Sequence, residues 1–224
     1  MKLTDIPVPT GAASVAAAQV LAEHSSPALV NHCHRSYLLA AALGVTEGVT
    51  VDDELLYVAA MMHDLGLEPA FDNVALPFED AGAHLVSVFA AGAGWSLLRR
   101  RRAADIVIAH MRHQVDPGVE PEGYLLEAAT SVDISGRDPH RWPAPLLAQV
   151  YACHPRLDLA AQFTARFQDQ ARRKPDSAAA AAVGSGIADR IRANRVGETG
   201  EARDVGGVGV AAGGVVGGGV ESCG

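Results

Sequence analysis

No β-branched alternation runs through the chain ahead of residue 205; alanine and leucine dominate and aromatic residues make up only 5%, so helix is the expected state. The punctuation between apolar stretches agrees. Ser26-Pro27 reads as an N-cap followed by a first-turn proline, and Gly44 is placed to close a helix running from about Pro27 to Leu43. Thr50 reads as the cap of a second helix, with Asp52, Asp53 and Glu54 favourably placed in its first turn and an end at Asp64-Leu65-Gly66. Further helices are expected at about 78–91, 96–113, 122–135, 144–154, 158–173 and 176–194, joined by turns containing glycine and proline. The expectation is an all-α, compact helical bundle over residues 1–195. Residues 196–224 are expected to form a separate low-complexity tail. Its stretch VGGVGVAAGGVVGGGVESCG has almost no charge and no period, and so much glycine is too costly in backbone entropy to order without packing partners.

Composition narrows the function. With 224 residues and 49% hydrophobic content, the chain can bury a core large enough to contain a pocket, and its length suits one domain. A formal net charge of -8 supplies no diffuse positive field for nucleic acid or an anionic membrane, so neither is an expected partner. The run Arg99 to Arg102 does not change this, because four successive helical residues point around the whole cylinder; it reads as a solvated helix start. Cys33, Cys153 and Cys223 are odd in number, far apart and form no C-x-x-C pair, which suits a reducing compartment. The opening residues hold an acid and a proline where a signal peptide would have its apolar run, and no stretch approaches ~20 apolar residues. A soluble, cytoplasmic protein is expected, with homo-oligomerisation left open.

The candidate chemistry lies where polar residues interrupt apolar helices. His63-Asp64 sits in Ala59-Ala60-Met61-Met62-His63-Asp64-Leu65-Gly66-Leu67, a costly place for two polar groups unless something satisfies them. A divalent cation would do so. His34, in Asn31-His32-Cys33-His34-Arg35, and Asp133, in Ser131-Val132-Asp133-Ile134-Ser135, are similarly flanked on two other helices. A His, a His-Asp pair and a late Asp, each on its own helix, resembles the HD-domain metal-dependent phosphohydrolase superfamily. Three further stretches narrow the likeness: His34-Arg35-Ser36-Tyr37-Leu38, Phe78-Glu79-Asp80-Ala81-Gly82-Ala83 and Asp133-Ile134-Ser135-Gly136. Together with the Ile108-Ala109-His110 segment they are similar to the cyanamide-hydratase-like branch over roughly residues 20 to 190.

The resemblance implies an HD-type bundle holding one divalent metal through His34, His63, Asp64 and Asp133, and hydration of cyanamide to urea. Two imidazoles and two carboxylates form a borderline N/O set suited to zinc, with manganese, iron, cobalt or nickel as alternatives. On such a metal the pKa of water falls toward ~7. His110 and Glu79 are the candidates for proton transfer, and Arg35 and His84 for substrate binding; His32 reads as an ordinary surface or core histidine. His84 stands where a smaller or amide side chain is expected in that branch. The expected partner is a small-molecule substrate. The alternatives are a phosphohydrolase acting on a nucleotide-like phosphomonoester and a non-catalytic, metal-stabilised binding module. Lys2 and Lys174 are the only lysines, so a phosphate would depend on arginine, with Arg35 and Arg112 as candidates, and a neutral substrate is favoured.

Overall fold

Pro27 starts the central helix of the molecule, with the Ser26 hydroxyl accepting from the Leu29 N–H at 3.3 Å to satisfy one free donor of its first turn. The computed structural model describes residues 1–197; the expected tail, but for its first two residues, lies outside them. Among the described residues there are ten α-helices and no strand. These are α1 (Ala12–His24), α2 (Pro27–Glu47), α3 (Asp53–Met62), α4 (Phe78–Gly92), α5 (Leu97–Ala109), α6 (Pro121–Ser135), α7 (Ala144–Cys153), α8 (Leu159–Arg173), α9 (Ala178–Gly184) and α10 (Ile187–Ala193). The all-α expectation holds, and no described helix is long and apolar enough to cross a membrane.

Several boundaries differ from the sequence reading for local reasons. Gly44 does not stop α2: it is buried against Leu125, and the helix runs on until Gly48 adopts the left-handed conformation at φ 69°. Asp52, not Thr50, caps α3, accepting from the Leu55 N–H at 3.0 Å. The expected 96–113 helix ends at Ala109, and the expected 176–194 helix breaks at Ser185-Gly186 into α9 and α10, Gly186 lying at φ 80°. α1 is an addition to the expected set; it buries Ala13, Ala17 and Leu21 against α3.

α3 is the innermost element, with every residue from Leu55 to Met62 buried, as befits a helix covered on all sides by α1, α2, α4, α5 and α6. Within the Arg99–Arg102 run Arg101 and Arg102 are exposed, as a solvated helix start implies, but Arg99 and Arg102 also pin neighbouring elements. Arg99 forks onto Asp52 (2.8 and 3.1 Å) and Glu54 (2.9 Å) and stacks on Trp95, while Arg102 pairs with the buried Glu122, tying α5 to α3 and α6. α4 and α5 form a hairpin that closes over the turn Leu65–Leu67, and α8, α9 and α10 pack together as a side layer. The end of α3 therefore lies deep in the molecule, between the hairpin and α2.

Candidate metal centre

His63 and His110 occupy equivalent places, each the first residue after its helix, where carbonyls of the last turn lack intrahelical partners. Each ring donates its Nδ1–H to the carbonyl three residues back: His63 to Ala60 at 2.8 Å, His110 to Val107. A carbonyl can only accept, so Nδ1 carries a hydrogen in both rings and the inward-facing Nε2 is the nitrogen left to act as a ligand or base. His32, on α2, reaches the same polarity through a carboxylate, since its Nδ1 donates to Asp133 Oδ2 at 2.6 Å. Asp64 then breaks from helical geometry (φ -105°, ψ 2°) at the start of the 65–67 turn, which brings its side chain beside His63.

The result is a buried cluster. His32 Nε2 and His63 Nε2 are 3.1 Å apart, and Asp64 Oδ2 lies 3.2 Å from the first and 3.1 Å from the second. His110 Nε2 stands 3.5 Å from Asp64 Oδ1. Asp64 Oδ2 and His110 Nε2 have no hydrogen-bond partner. Lone pairs at this separation repel unless a cation or proton lies among them, and ~3 Å is the spacing of neighbouring ligands on an ion bound at ~2.1 Å. Burial opposes ionisation of Asp64, yet the surrounding imidazoles hold its carboxyl well below the usual range. Burial also lowers His63, whereas for His32 the neighbouring carboxylates of Asp133 and Asp64 outweigh burial and raise it. The donor set fits a divalent ion of the zinc, manganese or iron kind.

Asp133 belongs to the layer behind. Its two oxygens accept from Arg35 Nε (2.9 Å) and Nη2 (2.8 Å), and Oδ2 also takes the His32 proton. Despite complete burial, Arg35 and His32 keep its carboxyl far below the ordinary range. The remaining Arg35 nitrogen donates to the His154 and Pro155 carbonyls at 2.7 and 3.2 Å. The arrangement is a carboxylate–histidine pair that fixes the orientation and tautomer of an inward-facing ring.

Of the expected site residues, His63 and Asp64 meet at the cluster, Asp133 braces it from behind, and His110 borders it. Three expectations need correction. His34 does not join: two residues from His32, it projects about 200° around the helix and stacks on His154 at 5.1 Å between ring centroids. Its place is taken by His32. Arg35 is fully buried with its donors engaged by Asp133 and two carbonyls, so it faces the cluster's support and not a substrate. His84 is exposed, because α4 buries the face formed by Phe78, Glu79, Gly82, Ala83 and Val86. Glu79 is buried at the start of α4; burial pushes its carboxyl up, and Oε2 has no partner.

A cavity of about 560 Å³ opens from the cluster, with His32, His63, Asp64 and His110 at its floor. One wall comes from α6, including Glu127, Thr130 and Ser131; the facing wall comes from Phe163 and Phe167 of α8 and Ala178, Ala181 and Ala182 of α9. These wall residues were not anticipated: the alanine run of α9 reads from sequence as helix-forming only. No curated protein matches the chain. Residues 29–137, the segment carrying His32, His63, Asp64, His110 and Asp133, match the family model of the HD domain, and with the buried His-His-Asp cluster this supports placing that helical core in the superfamily of metal-dependent HD hydrolases.

Proposed function

We propose that the protein is a metal-dependent hydrolase or hydratase that adds water to an uncharged, nitrile-like carbon. The carrying observation is the convergence of His32 Nε2, His63 Nε2 and Asp64 Oδ2 within 3.1–3.2 Å, all buried and all of atom types that ligate a divalent ion. These three would hold the divalent ion, with Asp133 and Arg35 fixing His32. When bound, the ion supplies the Lewis acidity that makes water nucleophilic near neutral pH. His110 Nε2, unpartnered on the cavity floor, is placed to accept a proton from water and return it to the substrate nitrogen. Hydration would then form a C–O bond as C–N π bonding opens toward nitrogen, with both protons of the same water ending on that nitrogen in the amide or urea and no leaving group. Glu79 does not line the cavity, so the proton transfer is assigned to His110.

A phosphomonoester is less well matched. Arg35 is sequestered behind Asp133, and of the three cavity arginines Arg112 and Arg137 are already paired with Glu120 and Glu127, which leaves Arg190, exposed and bonded to Ser185, as the one without a carboxylate partner. The test is to incubate metal-loaded protein separately with cyanamide, benzonitrile and a panel of nucleoside monophosphates, measuring urea, benzamide and phosphate. Amide or urea formation without phosphate release is expected. Phosphate release without either would replace this reading with the phosphohydrolase.

A further inference from the structure

The cavity is far larger than a three-heavy-atom molecule needs. Its volume of about 560 Å³ lies in the range that encloses drug-sized ligands. Its polarity is also one-sided. The hydroxyls on the α6 wall are engaged within the helix: Thr130 donates to the Glu127 carbonyl at 3.1 Å, Ser135 to the Ser131 carbonyl at 2.8 Å, and Ser131 to the Glu127 carboxylate at 3.0 Å. Glu127 is in turn neutralised by Arg137. Among buried lining atoms, those left without a partner are Asp64 Oδ2 and His110 Nε2, both on the floor. The opposite wall offers Phe163 and Phe167, stacked at 5.2 Å, and the methyl groups of Ala178, Ala181 and Ala182, which share one face of α9 by their i, i+3, i+4 spacing; α6 itself adds the apolar side chain of Ile134.

We infer that the substrate is an amphiphile, with an uncharged reacting group at the cluster and an apolar body held between the Phe163–Phe167 pair of α8 and the alanine face of α9. This rests on the metal reading above and adds the substrate class. The three lining arginines, Arg112, Arg137 and Arg190, are all exposed and engaged by Glu120, Glu127 and Ser185, so a charged body would have to draw on arginines already bonded elsewhere, and a polar one would lose its hydration without replacement. The apolar body instead gains from leaving water, at a cost to the protein already met by the small side chains of α9, which leave the space open.

Hydroxamates separate the two readings, because the head chelates a divalent ion whatever chain it carries. Acetohydroxamate and octanohydroxamate are titrated calorimetrically into the zinc-loaded full chain, with zinc content measured on the same samples. Octanohydroxamate is expected to bind tighter by at least about fifty-fold, the factor for burying three of its six additional methylenes. Ala182→Phe, which fills the cavity from α9, should erase that ratio and leave acetohydroxamate binding unchanged; Ala181→Leu is a milder second variant. Equal affinities of the two compounds would overturn the apolar-body inference and leave the metal reading standing. A protein that takes up no zinc and binds neither compound would overturn both.

Discussion

Gly66 is where the cluster's geometry is most exposed to a single methyl group. A Cβ at this position would lie 2.0 Å from the Phe78 carbonyl oxygen, 2.9 Å from its carbon and 3.1 Å from the Gly82 nitrogen. All three obstacles are backbone of α4, so no rotamer change relieves the contact; the turn and the helix must separate by roughly 1 Å or more, a displacement packed interiors resist. Gly66→Ala is therefore expected at the upper end of overpacking costs, ~3 kcal/mol. For a chain of this size that corresponds to a fall in Tm of roughly 6–12 °C. Gly82→Ala is the internal control. Its Cβ would meet the Val107 Cγ1 at 3.2 Å and the His63 carbonyl at 3.3 Å, so its loss should be under ~1 kcal/mol. Because Asp64 lies two residues before Gly66, the same displacement should weaken zinc binding by ~10-fold or more, the size of effect seen when support of a ligand is lost. Calorimetric melting with chelator and with one equivalent of zinc measures both terms. Gly66→Ala melting within about 2 °C of the parent, or Gly82→Ala proving the more damaging, would refute the close-approach argument.

Three further outcomes follow from the site. His32→Ala should lose zinc while His34→Ala keeps it, measured as bound metal after gel filtration; the reverse result would restore His34 as the ligand. Arg35→Met leaves the fully buried Asp133 without its fork and should cost ~3–5 kcal/mol in urea unfolding. Arg35→Lys should recover only part of this, since an ammonium cannot reproduce the two parallel hydrogen bonds. The third concerns His154, lowered to about 4 first by burial and then by His34 and Arg35. Its folded pKa lies below the unfolded value of ~6.5, so the unfolded chain binds the extra proton between those limits and stability falls as pH drops from ~6.5 toward 4. His154→Gln should flatten the dependence of Tm on pH in that window; an unchanged slope would show that the buried ring contributes nothing.

The existence of most helices was legible because capping residues and breakers act locally: Ser26 and Asp158 stand where helices start, and Gly136 where one ends. What misled was local as well. Gly44 has the composition of a stop and is instead a packing position against Leu125, a tertiary fact that propensity does not contain. The breadth of the cavity was not legible either, since it depends on α9 packing against α8, and an alanine run gives no sign of what it faces.

The exchange of His34 for His32 is different, because the signal that separates them was present in the chain. On α2, which also buries Ala28, Arg35, Tyr37 and Ala42, the positions Leu29, His32, Cys33, Ser36, Leu39, Ala40 and Leu43 follow the i, i+3, i+4, i+7 rhythm of one helix face. His32 lies on that face and His34 does not. The same rhythm places His110 after Ala103, Ile106 and Val107 on α5, and Asp133 with Leu125, Leu126, Ala129 and Val132 on α6. A polar residue in phase with a buried stripe must find a partner inside the molecule, whereas one out of phase can reach the surface or a neighbouring ring, as His34 reaches His154. Helical phase is thus a stronger guide to ligation than proximity to a motif. Arg35, one turn beyond His32 on the same side of the helix, is carried with it to Asp133, which accepts from both side chains.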